Sequence, residues 1–150
     1  MSSSQLLNGI TQDMVSILDQ ESTHGEGWNY YSNGRIIHAS VYQNEITGTL
    51  RELHDDIQVK IKIDENELHY SCNCDATAGI CKHIVALLYS WVFDSAEFIN
   101  MNNVINQLDN YDKDFLIEVV ERLLLHDPQN IRFLHPENSS EYIDFLEAEE

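Results

Sequence analysis

Bases are scarce in this chain: 8 Lys and Arg stand against 26 Asp and Glu in 150 residues, a formal net charge of −18. Such a field repels phosphate at long range, which excludes the surface as a whole from binding nucleic acid. The deficit is uneven. Residues 1–34 carry 4 acids and no base, residues 35–90 carry 5 bases against 8 acids, and residues 91–150 carry 3 bases against 14 acids. Nucleic acid would therefore meet the middle of the chain, or be reached through a basic partner. The acidity suits a high-salt cytoplasm as well as such a partner, and composition fits both. Long apolar runs are also lacking. The longest, Ile84 to Phe93, falls far short of the roughly 20 residues a membrane helix needs, and no basic head followed by an apolar run opens the chain. These absences predict a soluble, cytoplasmic protein (nuclear in a eukaryote) with no membrane partner. Cysteine is limited to three, an odd number, with Cys72 and Cys74 at i and i+2, where a disulfide would be strained. Reduced thiols in an intracellular compartment follow.

What is present is a change of period along the chain. Ser2 to Ser4 can cap a helix whose stripe of Leu6, Leu7, Ile10, Met14, Ile17 and Leu18 runs to about Gln20. Asn33-Gly34 is a two-residue hairpin signal, so Trp28 to Tyr31 and Arg35 to Tyr42 are expected as flanking strands. Gln43-Asn44 turns the chain into Glu45 to Leu50, where Ile46, Gly48 and Leu50 share a face. Ile57 to Ile63 alternates most strongly, pointing Lys60 and Lys62 outward, and Asp64 to Glu67 turns into a strand from Leu68 to Cys72. From Lys82 the period is helical, with Ile84, Leu87, Leu88, Trp91 and Val92 on one face. Beyond Asp94 the pattern predicts helices only. Asp112 caps the one that carries Phe115 to Leu124, and Pro128 ends that helix or begins a short one ending near Leu134. The tail from Glu137 has six acids and no base and reads as a frayed helix or disorder.

All three cysteines and one of seven histidines fall within Cys72 to His83, as C-x-C, six residues, then C-x-H. Cys72, Cys74, Cys81 and His83 are the expected ligands of one Zn2+, since a structural site wants four such donors in a tetrahedron. Residues i and i+2 of an extended segment project to one side, so Cys72 and Cys74 reach a single ion from a strand end. Cys81 and His83 come from the start of the next helix, with Gly79 turning the chain between. Metal binding of this kind contributes on the order of 10 kcal/mol to folding.

This motif resembles the SWIM zinc finger, over about Gly27 to Trp91 with Tyr30 to Arg35 as its opening. Ala86, three residues after His83, is similar to the C-x-H-x-x-A extension of the Shu-type recombination accessory SWIM proteins. The resemblance implies a free-standing adaptor in DNA repair or homologous recombination that works beside a RecA/Rad51-family ATPase paralogue. The expected fold class is α+β: a small antiparallel sheet leads into a Cys3His zinc knuckle and helix, followed by a helical C-terminal extension. Residues 1–26 are the N-terminal helix and loop, 27–93 the zinc finger and 94–150 the acidic extension, expected as one folding unit.

The alternative is a direct DNA-binding zinc module, with Arg35, Arg51, Lys60, Lys62 and Lys82 on phosphate and Trp28, Tyr30 or Tyr31 stacking on bases. Neither a small-molecule substrate nor an enzyme is expected. A coordinated thiolate cannot attack, four protein ligands leave no place for activated water, and the H-x-E…P-C-x-x-C signature of zinc deaminases is absent. Asp64-Glu65-Asn66-Glu67 lacks the glycine and distal glutamate of a calcium loop, and the other six histidines show no ligand spacing.

Overall fold

A computed structural model of the chain describes residues 7–65, 67–74 and 79–134. The chain divides into two compact units, Met1–Asn103 and Val104–Glu150. Among the described residues no helix is long and apolar enough to cross a membrane. The architecture is α+β, a five-stranded sheet with four strands before the cysteine–histidine group and one after it, together with helices.

In the first unit the elements are α1 (Gln12–Ser22), α2 (Glu26–Ser32), β1 (Ile36–Tyr42), β2 (Glu45–Leu50), β3 (Ile57–Asp64), β4 (Glu67–Cys72), α3 (Lys82–Asp94) and β5 (Ile99–Asn100). Four strands form an antiparallel meander in the order β4-β3-β2-β1, as the alternation predicts. Directly opposed antiparallel residues share a face, so Ile46 with Ile61 and Val59 with Cys72 lie on the side that α3 covers. The other side presents Thr47, Lys60 and Ser71 in one row, and Glu45, Lys62 and His69 in the next.

Helix α3 supplies about half of the core. The expectation was one apolar face, yet every residue from His83 to Trp91 is buried. The sheet closes one side and α1 and α2 close the others, so a helix apolar nearly all round is the stable answer here.

Three other expectations are corrected. The expected helix is broken between Leu7, which is helical and packs into the core, and Gln12, where α1 starts after Thr11 caps it by accepting the Met14 N–H at 3.2 Å. Its buried face is Val15 and Asp19, whereas Met14 and Ile17 are more than half exposed. The Ser2 to Ser4 cap lies outside the described residues.

Trp28 to Tyr31 is helix rather than strand. The Asp19 carboxylate accepts the N–H of Gly27 and of Trp28, each at 3.0 Å, satisfying first-turn donors that a helix cannot satisfy itself. Gly27 also lets α2 press on α3, since a Cβ there would stand 2.3 Å from Val85 Cγ1. At the other end Asn33-Gly34 is a helix stop and not a hairpin. Gly34 adopts φ +69° and donates to Tyr31 O, while Arg35 N–H donates to Tyr30 O.

Beyond Asp94 the chain is not wholly helical. Ile99–Asn100 pairs in parallel with Ser40 and Val41, adding β5 to the sheet edge beside β1. The sheet is therefore mixed, with one short parallel strand on an antiparallel meander.

Helix α4 (Met101–Asn106) crosses the division between the units. In the second unit α5 (Lys113–His126) follows the Asp112 cap, whose carboxylate accepts the Phe115 N–H at 2.8 Å. Pro128–Leu134 forms a 3₁₀ turn, as the second of the two proline readings expects. The tail from Glu137 lies outside the described residues.

Candidate metal centre

The register of β3 and β4 places Cys72 at the last position of β4, opposite Val59 and on the helix-covered face. Cys74 follows two residues on. Cys81 is the N-cap of α3, in extended backbone with its carbonyl accepting the Val85 N–H at 3.2 Å. His83 lies in the first turn and is 4 % exposed. Gly79, at φ +77°, turns the chain just before them.

One donor atom from each of Cys72, Cys74, Cys81 and His83 lies within 4.8 Å of every other. His83 Nδ1 is 3.7 Å from both Cys72 Sγ and Cys81 Sγ. A tetrahedron with Zn–S of about 2.3 Å and Zn–N of about 2.0 Å has S···N edges of about 3.5 Å, so the spacing fits zinc. Burial pushes the Cys72 and Cys81 thiols up, and the nearby cysteine sulfurs add to the effect at Cys72. A divalent cation inverts that preference, because it stabilises the thiolates that crowding otherwise disfavours. Three thiolates and one imidazole saturate a zinc ion and leave no open position.

Around the donors lies a layer that motif spacing does not show. His83 Nε2, the nitrogen facing away from the sulfurs, is 2.7 Å from Glu52 Oε1. Tyr30 OH donates to both Glu52 oxygens, at 2.9 and 3.0 Å, and its ring meets the His83 ring edge-on at 5.2 Å. Burial alone would raise the Glu52 pKa, but the hydrogen bonds from His83 and Tyr30 prevail and hold it below the usual carboxylate value. Glu52 comes from the loop between β2 and β3 and stands 31 residues before His83. No sequence signal marks it.

The five candidate phosphate-binding residues fall into two groups. Arg35 and Lys82 flank Tyr30, with the Arg35 guanidinium 5.3 Å and the Lys82 ammonium 4.8 Å from the ring centre. Arg35 also donates to the Arg51 carbonyl at 3.1 Å, which ties Arg51 to this group. Lys60 and Lys62 stand exposed on the open face of the sheet. The aromatic candidates are engaged in packing. Trp28 lies edge-on to Tyr89 at 5.2 Å, Tyr31 stacks on Phe93 at 5.8 Å, and Tyr30 packs edge-on against His83. Ala86 is wholly buried in the core.

Comparison with curated proteins and with solved structures returned no significant match. The model of the SWIM zinc finger family matches residues 57–91, the span that holds β3, β4, all four donors and most of α3, so this part of the chain is similar to a SWIM zinc finger.

Proposed function

We propose that this protein is a zinc-stabilised adaptor and not an enzyme, joining a protein partner to a DNA transaction. The observation that carries the reading is the closed donor set: four side chains within 4.8 Å of one another clamp the end of β4 to the start of α3. A saturated ion of that kind holds a surface in shape and has no site for a reacting water. The resemblance of the C-x-C…C-x-H-x-x-A stretch to Shu-type SWIM proteins supports placing the adaptor in DNA repair or homologous recombination, beside a RecA/Rad51-family ATPase paralogue. The excess of acid in residues 91–150 supports a partner with a basic contact surface. Co-purification from native lysate at low salt tests this. A RecA-family or other DNA-transaction protein is the expected companion, and the absence of any such protein removes the adaptor role.

A second reading rests on the open face of the sheet. In a chain of net charge −18, the rows Ser40, Thr47, Lys60, Ser71 and Tyr42, Glu45, Lys62, His69 contain two lysines and a single acid, with Asp64 and Glu67 in the row beyond. Direct contact with a nucleic-acid backbone is compatible with that face. Binding of the full chain to single-stranded and duplex DNA across a salt series decides the matter. A log–log slope of about −2, lost in Lys60→Ala/Lys62→Ala, supports direct contact. No binding at low salt ends it.

A further inference from the structure

We infer that Glu52 is a positioning residue for the metal centre, holding His83 in the one tautomer that can ligate there, with Tyr30 holding Glu52 in turn. The inference rests on the zinc reading above and adds to it a residue from outside the matched span.

A neutral imidazole carries one N–H and one lone pair. His83 Nδ1 faces Cys72 Sγ and Cys81 Sγ at 3.7 Å, so its lone pair must serve the metal and the proton must sit on Nε2. Glu52 Oε1, at 2.7 Å, is the acceptor for that proton. The His83 side chain is 5 % exposed, so water is a poor substitute. A carboxylate in this place fixes ring orientation and makes the opposite nitrogen a better donor to a cation. Glu52 would be a loose acceptor by itself, being on a loop and 25 % exposed. The two hydrogen bonds from Tyr30 OH immobilise it, and the Tyr30 ring closes the side of His83. Lys82 and Arg35 over the Tyr30 ring place positive charge on the residue that holds the carboxylate, which offsets the surplus negative charge of three thiolates on a divalent ion. The centre thus joins three parts of the chain: helix α2, the β2–β3 loop and the C-x-C…C-x-H stretch.

The test uses the full chain, stripped of metal and titrated with zinc against a competing chelator. Glu52→Ala is expected to weaken zinc binding 10- to 100-fold. Glu52→Gln, which keeps an acceptor oxygen without the charge, should lose less. Asp55→Ala removes a charge from the same loop without touching His83 and should stay within about twofold of the parent, since an exposed charge at that range is largely screened. In long-range proton–nitrogen spectra of the zinc-loaded protein, His83 should show a metal-bound Nδ1 and a slowly exchanging Nε2 proton. That proton should exchange rapidly in Glu52→Ala, a signature that a merely structural role for the loop would not move. Should Glu52→Ala fail to fold, Glu52→Leu, which fills the same space without an acceptor, carries the decision through the same two readouts. Parental affinity and an unchanged His83 proton in the Glu52 variant overturn the inference alone, as does an equal loss in Asp55→Ala. A parent chain that takes up no zinc overturns it together with the zinc reading.

Discussion

At its N-terminal end α3 carries Cys81 and His83 into the four-donor group; at its C-terminal end it carries Tyr89, Trp91 and Asp94 into hydrogen bonds with the segments that precede the sheet. Buried Asp19 accepts from Gly27 N–H, Trp28 N–H and Tyr89 OH, and the Thr23 hydroxyl lies against the same carboxylate. Trp91 Nε1 donates to Leu7 O at 3.0 Å, and Tyr31 OH donates to Asp94 at 2.6 Å. One helix thus carries a donor group suited to a metal at one end and is secured by a satisfied carboxylate and aromatic packing at the other. The difference lies in what each end needs from outside the chain. The first requires a cation to make crowded thiolates favourable, while the second is complete as folded.

The largest effect should follow from breaking the metal end. Cys81→Ser is expected to forfeit much of a contribution on the order of 10 kcal/mol and to purify with less than about half an equivalent of zinc, read by elemental analysis. Both tryptophans lie at the other end, Trp28 against Tyr89 and Trp91 against Phe98. Chelation should accordingly loosen the sheet, in backbone circular dichroism, before tryptophan emission shifts. Simultaneous loss of both signals would erase the distinction between the ends.

Asp19→Ala comes next. It strands two buried N–H groups and a tyrosine hydroxyl, so a loss of about 3 to 5 kcal/mol is expected in urea unfolding, with zinc content unchanged. Gly27→Ala should cost about 1 to 3 kcal/mol, because its Cβ would overlap Val85. A neutral result there would mean that α2 and α3 are not pressed together as described.

The smallest effect belongs to Tyr31. Burial, then the hydrogen bond and charge of Asp94, push its pKa up to about 12, so the folded protein favours the protonated phenol. Its contribution is complete below the unfolded value of 10 and is lost as pH rises towards 12. Tyr31→Phe should flatten the fall in melting temperature between those limits and change stability at pH 8 by about 1 kcal/mol. An identical alkaline fall in both proteins would remove Tyr31 from the second clamp.

What could be read in advance was local. Ile57 to Ile63 alternates so strictly that only one register buries Val59 and Ile61, and Cys72 follows onto the same face. The clustering of the four donors was legible because thiols at that spacing have little other use. The helix at Glu26–Ser32 was not, because its aromatic run has strand propensity and the group that caps it, Asp19, belongs to the preceding helix. The pairing of Ile99 with Ser40 was hidden for a similar reason: two residues form a strand only when an edge such as β1 is waiting.

By itself the sequence determined the meander, the start of α3 at Cys81 and His83 and the clustered Cys72, Cys74, Cys81, His83 donors, since each rests on residue type at short separation. Tertiary structure alone decided which nitrogen of His83 faces the sulfurs, that Glu52 and Tyr30 stand behind it, and that Asp19 turns a predicted strand into a helix. Those outcomes depend on groups far apart in the chain meeting at hydrogen-bond distance inside a packed interior, where an unmade bond costs more than local propensity can offset.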